Sequence, residues 1–273
     1  MACNDGWQVA GRRKGAARRG QHPSNLKLHQ VSDCKLDKQK ITNAINELRG
    51  ENFWMEWRDL LSEHHLSNPS KLNGDVSLQH CVCYGLGNFA SCVSARYQLA
   101  MLLLLLETLQ IPASSCCVYD PVFSASECDA LKELGFTVLT ENEEGKRPVY
   151  QPTLFYLMHC GKALYNNLLW RNWTPETLQK IIIIGNSFHG IQERMVQREL
   201  ERDYSFLSNV ISVCDETSLP CSPRFLDVFN DTALIKFPPE NLDKLPENMW
   251  IEPSEPLYQH CQDLEIIQRE KRS

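Results

Sequence analysis

The 273-residue chain lacks any long apolar run. Its most apolar stretch, Leu99–Leu106, is bounded by Gln98 and Glu107. That is far short of the roughly 20 residues a bilayer-spanning helix needs, so it reads as a helix buried on all sides. Basic charge is also in deficit: 28 Lys and Arg face 34 Asp and Glu, a net of −6. Such a balance gives no strong nucleic-acid signal, because a phosphate backbone needs a basic face. No apolar segment follows the basic N-terminal residues, so no secretory leader is expected. C-x-x-C and H-E-x-x-H patterns are absent, which removes the usual spacings for zinc. The His64-His65, His159-Cys160 and His260-Cys261 pairs cannot chelate locally, since adjacent residues diverge. No metal site is therefore expected. The phosphate-binding pattern G-x-x-x-x-G-K-[ST] is missing too, and with it support for Walker-type ATP hydrolysis. No internal repeat or low-complexity segment is present.

Cysteine, in contrast, is plentiful, with 12 residues. Several sit inside apolar, strand-like runs such as His80-Cys81-Val82-Cys83-Tyr84. Free cysteine is among the most buried residue types, so these read as packing residues of a reducing compartment. The expected location is cytoplasmic, with the nucleus as a second compartment suggested by the basic cluster Arg12-Arg13-Lys14 and Arg18-Arg19. Cys160 differs from the others, because it ends a strand beside His159. It is the thiol to test first for reactivity or ligation.

Residues 1–36 have few apolar positions and no sustained period, which predicts a disordered basic tail. From Asp37 to residue 77, Ile41, Ile45, Leu48, Phe53, Trp54, Trp57, Leu60 and Leu61 follow a helical stripe. This segment is expected to pack on the core, and Asn68-Pro69-Ser70 and Asn73-Gly74 are expected to end it in turns. The remainder, 78–273, alternates short apolar runs with helical patterns. Strands are expected at 81–84, 116–119, 136–139, 153–158, 180–184 and 234–237. Helices are expected at 89–109, 124–134 with Ser124 as N-cap, 162–172 and 190–203. In the last of these, Ile191, Met195, Val196 and Leu200 should face inward. Continuous apolar strands separated by helices predict an α/β fold: a Rossmann-like, doubly wound, mostly parallel sheet with helices on both faces.

Ligands of such sheets bind beyond the carboxyl ends of the strands. The loop there, Gly85-Leu86-Gly87-Asn88-Phe89-Ala90, fits G-x-G-x-x-A between a strand and a helix. Gly85 would allow the tight turn, Gly87 a close ligand, and the helix N-terminus free N–H groups for an anion. Asp120, ending the second strand, would reach ribose hydroxyls. The plain alternative is a glycine turn that serves strand–helix packing. On the same edge Asn186 and Ser187 close the fifth strand, and His159 and Cys160 the fourth. Ser187, Asp231 and His260 follow the chain order of an α/β-hydrolase triad, but Gly190 falls one place late for the nucleophile turn. A helix cap is the simpler role for Ser187. The charged run Glu141–Arg147 reads as a solvated turn, with an acidic lip around the cleft as the alternative.

Several phrases occur together in order: 81–89, Val118-Tyr119-Asp120-Pro121, 155–161, Tyr165-Asn166-Asn167-Leu168-Leu169-Trp170, 182–188 and Phe229-Asn230-Asp231-Thr232. In these the chain resembles the SRR-type family, named for the plant "sensitivity to red light reduced" gene, over roughly 78–267. The resemblance implies a regulatory protein linked to circadian clock gene expression and, in animals, to haem biosynthesis, with unidentified protein partners. It implies no established reaction and so no catalytic residues. Three readings stay open. One is a regulator. Another is an enzyme using S-adenosylmethionine or a dinucleotide, held by Gly85, Gly87 and Asp120 with His159, Asn186 and Ser187 facing the substrate, and Asn88 and Cys160 as further ligand-binding candidates. The last is a haem-binding sensor. Against direct haem binding, Pro220-Cys221 reverses the Cys-Pro order that haem sensors often use.

Overall fold

The computed structural model describes residues 26–66, 78–251, 254–259, 261 and 264. The N-terminal basic cluster, the turns expected at 68–74 and His260 lie outside them. The helices and strands run α1 (Leu26–Arg49), α2 (Asn52–Glu63), β1 (His80–Tyr84), α3 (Val93–Leu109), β2 (Cys116–Tyr119), α4 (Ala125–Glu133), β3 (Thr137–Val138), β4 (Thr153–Leu157) and α5 (Lys162–Arg171). They continue through α6 (Pro175–Leu178), β5 (Ile181–Asn186), α7 (Phe188–Arg194), α8 (Gln197–Asp203), α9 (Ser205–Ile211), β6 (Asp215–Ser218), α10 (Leu226–Phe229), β7 (Thr232–Lys236) and α11 (Pro239–Leu242).

The strands described form one sheet in the order β3-β2-β1-β4-β5-β7-β6. The first five are parallel, and β7 runs antiparallel to both β5 and β6. The sheet is therefore mostly parallel and Rossmann-like, as expected. The chain order reverses between β1 and β4, the switch point at which such sheets take ligands.

Alternation along the strands sorts the core into two layers. Cys81, Cys83, Cys116, Val118, Leu154 and Tyr156 face α1–α4. Val82, Tyr84, Phe155, Leu157, Ile181 and Ile183 face α5 and α9. Helix α3 lies between the sheet and α1, which is why its leucines can be apolar around the whole circumference. Each such leucine contributes about 1.5–3 kcal/mol when fully buried. The ten cysteines described are all free thiols, and Cys81, Cys83 and Cys116 are buried packing residues.

Helix α1 begins at Leu26 rather than at Asp37. No glycine or proline interrupts the sequence from Leu26 to Arg49, so the helix continues through a stretch with little apolar periodicity. Helix α2 is amphipathic. Its Trp57 is fully buried and donates from Nε1 to the Pro220 carbonyl at 2.6 Å, while Phe53 packs on Phe225 and Phe229.

Three other expectations change. Helix α3 begins at Val93, not Phe89. The helix expected at 190–203 is two, because the chain is extended at Met195 and Val196, which leaves Val196 exposed. Strand β6, Asp-Glu-Thr-Ser, gives no apolar signal because it is a half-exposed edge strand. No helix among the described residues is long and apolar enough to cross a membrane.

His64, at the end of α2, joins the helical segment to the sheet edge. Lys236 Nζ donates to its Nδ1 at 2.7 Å, and Thr217 Oγ1 lies 3.0 Å from Nε2. Burial and the Lys236 ammonium lower its pKa below the ordinary 6.5, against smaller upward pulls from Asp215 and Glu63. The unfolded chain therefore accepts a proton that the folded chain resists. Stability is full above pH 6.5 and falls as the pH drops through that value towards the lowered one. Melting temperatures measured between neutral and mildly acidic pH should show this loss, and His64→Gln should flatten it.

Candidate functional site

Strand β1 delivers Gly85 to the carboxyl edge, where Gly85 (φ +70°) and Gly87 (φ +79°) both adopt left-handed backbone. Only glycine does so without strain. A Cβ on Gly85 would stand 2.6 Å from Cys160 Sγ, so this glycine also makes room for the neighbouring strand end.

Two of the loop amides that an anion would use are already engaged. Gly87 N–H donates to Asp120 Oδ2 at 2.7 Å, and Ala90 N–H donates to Glu127 Oε1 at 2.9 Å. The second Asp120 oxygen accepts from Val122 N–H at 2.9 Å. Asn88 Oδ1 accepts from both the N–H and the hydroxyl of Ser91. This turn delays α3 until Val93, and Phe89 is buried edge-on against Phe123 instead of opening the helix. The loop is thus braced by two carboxylates from the β2–α4 region, and Gly87 N–H is not a free donor for phosphate. Glu127 is itself 1% exposed, and it closes the capping box of α4 with Ser124.

At the end of β4, His159 adopts φ +51°. Its N–H donates to Asn186 Oδ1 at 2.9 Å, and Asn186 Nδ2 donates to the Cys160 carbonyl at 3.1 Å. Asn186 therefore staples the β4 turn to β5. His159 Nε2 lies 2.9 Å from the Val228 carbonyl, which accepts from the nitrogen carrying the proton. The Cys160 thiol donates to the Tyr84 carbonyl at 3.3 Å. Burial pushes its pKa well up, and the Asp120 charge adds to the effect. Cys160 is thus placed as a buried packing thiol that donates to a backbone carbonyl.

Ser187 caps α7, accepting from Gly190 N–H at 2.8 Å, and its hydroxyl donates to Glu216 Oε1 at 2.5 Å. Asp231 is paired with Arg194 at 2.5 Å. Ser187 and Asp231 are thus each committed to other partners, and no triad is assembled between them. Among the described residues no group of three or more His, Cys, Asp and Glu side chains could hold a metal.

Gly85, Asp120, His159 and Cys160 meet at one cavity of about 220 Å³, beyond the ends of β1, β2 and β4. Gly87, Asn88, Asn186 and Ser187 are not among its lining residues. The rest of the wall comes from Tyr84, Tyr119, Pro121, Asn142, Glu144, Gly145, Gly161 and Leu164. A wider groove of about 680 Å³ by α1–α3 is lined by Arg49, Arg58, Asp59 and Glu107 among others, away from every strand end.

The connection from β3 to β4 covers the cavity, and it is held by buried side chains. Tyr84 Oη donates to Glu143, on which the Arg147 guanidinium Nη1 also sits, at 2.9 and 3.0 Å from the two oxygens. Burial raises the Tyr84 hydroxyl pKa, and the Glu143 hydrogen bond raises it further. Asn167 Nδ2 donates to the Glu144 carbonyl, and Asn172 bonds both the Arg147 carbonyl and Val149 N–H, each at 2.8 Å. Gly145 packs so closely that a Cβ would lie 2.6 Å from the Leu164 carbonyl. The run Glu141–Arg147 therefore includes a half-buried ion pair and a cavity wall, and is not simply a solvated turn. The one hint of this in the sequence was Asn166, Asn167 and Asn172 within or ending an otherwise apolar helix, where asparagine is a poor helix former.

The SRR1 domain family matches residues 57–236, a span that begins within α2 and ends with β7. A mouse "SRR1-like protein" is 59% identical over 188 residues, 67% of this chain and 72% of the relative. The Arabidopsis thaliana "Protein SENSITIVITY TO RED LIGHT REDUCED 1" is 35% identical over 160 residues, 58% of each chain. A Drosophila melanogaster "SRR1-like protein" is 30% identical over 233 residues, 84% of this chain and 80% of the relative.

Gly85→Ala should destabilise the protein by about 1–3 kcal/mol, through left-handed strain and the Cys160 clash. Denaturant titration measures the loss, and Gly85→Ala combined with Cys160→Ala should recover part of it. Under native alkylation followed by peptide mass mapping, exposed Cys92 should label before Cys160. Native labelling of Cys160 at the rate of Cys92 would contradict its assignment as a packing thiol.

Proposed function

Since the chain belongs to the SRR1 domain family, we propose that it is a regulatory protein that binds a small ligand at the carboxyl edge of its sheet. On this reading it acts, with protein partners, in the regulation of haem biosynthesis and of circadian clock gene expression. It would work in a reducing compartment, the cytoplasm with the nucleus second. The observation that carries the reading is the cavity at the β1/β4 switch point, whose wall brings together no activated nucleophile and base. Its thiol is buried and donates to a backbone carbonyl, with burial raising its pKa, and the nearby serine is a helix cap. The site fits recognition better than covalent chemistry.

Haem enters this proposal as the regulated product, not as the ligand of the cavity. A volume of about 220 Å³ lies below the roughly 300–1,000 Å³ of sites for drug-sized molecules, and the Nε2 of His159 is engaged by a backbone carbonyl. Titration with haemin should give the Soret spectrum of free haemin. Deleting the protein from cells should change haem content and clock transcripts. Unchanged levels of both would refute the regulatory role.

A second reading, an enzyme using S-adenosylmethionine or a dinucleotide, is favoured by one observation. Asp120 stands at the end of β2 beside the glycine turn of β1, where an acid meets a ribose. Binding would require the Asp120–Gly87 hydrogen bond to open. Calorimetric titration with each cofactor tests it: binding that Gly87→Arg abolishes supports an enzyme, and no heat at millimolar cofactor removes it.

A further inference from the structure

We propose that the cavity at the carboxyl edge is specific for a compact organic cation, a quaternary ammonium or sulfonium group, held by the Asp120 carboxylate against the rings of Tyr84 and Tyr119. The inference rests on the ligand-binding reading above and adds to it the chemical class of the ligand.

The first argument is charge. The cavity wall holds two carboxylates, Asp120 and Glu144, and no Lys or Arg. The partners found for Asp120 are the backbone amides of Gly87 and Val122, and no ion pair to it occurs among the described residues. Glu144 is paired with Lys146 at 2.5 Å, but the same ammonium is shared with Glu255 at 2.6 Å. An anion entering the cavity would meet the Asp120 carboxylate, with Gly87 N–H already bound to it. A neutral apolar ligand would desolvate Asp120 without compensating it. A cation meets neither penalty.

The second argument is aromatic geometry. Tyr84 and Tyr119 are register partners at the ends of neighbouring parallel strands. Partners in register project to the same face of a sheet, and both residues line the cavity. The Tyr84 hydroxyl is turned away into its bond with Glu143. Paired electron-rich rings beside a carboxylate are the means by which proteins hold alkylated ammonium groups, whose diffuse charge is weakly hydrated.

The third argument is size. The cavity, about 220 Å³, lies below the roughly 300–1,000 Å³ of sites for drug-sized molecules. It suits a trimethylammonium or dimethylsulfonium head.

The test is calorimetric titration of the whole protein with choline and with its uncharged isostere 3,3-dimethylbutan-1-ol. Parallel titrations use trimethylsulfonium and neutral tert-butanol, which distinguish an ammonium from a sulfonium source. Choline or trimethylsulfonium should bind at least about tenfold more tightly than its neutral counterpart, a difference of about 1.4 kcal/mol. Tyr119→Leu should weaken that binding about tenfold, whereas Tyr119→Phe, which keeps the ring, should retain it. Asp120→Asn should remove the preference for charge. If this variant melts early because its loop brace is lost, the Tyr119 pair decides. Equal binding of charged and neutral members, a preference for phosphate or acetate, or no cation binding up to about 10 mM would each overturn the inference. The regulatory reading would stand in those cases if cell deletion still altered haem and clock transcripts. Selective cation binding without any cellular effect would reverse that outcome, sustaining the cation site and sinking the regulatory role.

Discussion

Backbone N–H groups that leave a parallel sheet at its carboxyl edge must find acceptors once they are out of water, and in this protein side chains from neighbouring elements supply them. Asp120 takes Gly87 and Val122, Glu127 takes Ala90 and Ser124, Asn186 takes His159, and Glu216 takes Phe188 and His189. Each bond to a charged acceptor is worth about 1.5–3 kcal/mol, and leaving such a buried amide unpaired costs about as much. This requirement determines the shape of the loops, and through them the cavity. The residues that most resemble a nucleotide cradle hold the loops in place, and the space left between them is small, acidic and aromatic.

The same logic governs the connection from β3 to β4. It crosses the sheet face beside β1 and β2 without a helix of its own, so beyond its internal bonds at Glu144 and Lys146 its polar backbone needs partners from outside. Asn167 and Asn172 of the neighbouring helical segment meet it from one side, and the Tyr84–Glu143–Arg147 group meets it from the other. Tyr258, near the C-terminus, bonds Asn166 and Asn167 and so ties the same helix to the tail.

On the opposite face, the helical segment α1–α2 belongs to the core and does not act as a separate appendage. Trp57 and Phe53 pack with the aromatic residues of the α10 region, and His64 reaches the edge strands. The start of the family match within α2 fits this packing.

The sequence by itself determined the α/β class, the parallel strands, the Ser124 cap and the switch-point edge, because strand runs, caps and glycine turns are local and periodic. It also determined that the strand cysteines pack as apolar residues. Only the tertiary structure decided what the loop residues do. Gly85, Asp120, His159 and Cys160 share a cavity, whereas Gly87, Asn88, Asn186 and Ser187 brace its surroundings, since a carboxylate's partner is set by which strand lies beside it. Tyr84 and Tyr119 lie far apart in the chain, and only the register of β1 on β2 makes them neighbours. Strand β6 and the reversed β7 were equally hidden, because strand direction and edge position depend on pairing partners that no local pattern encodes.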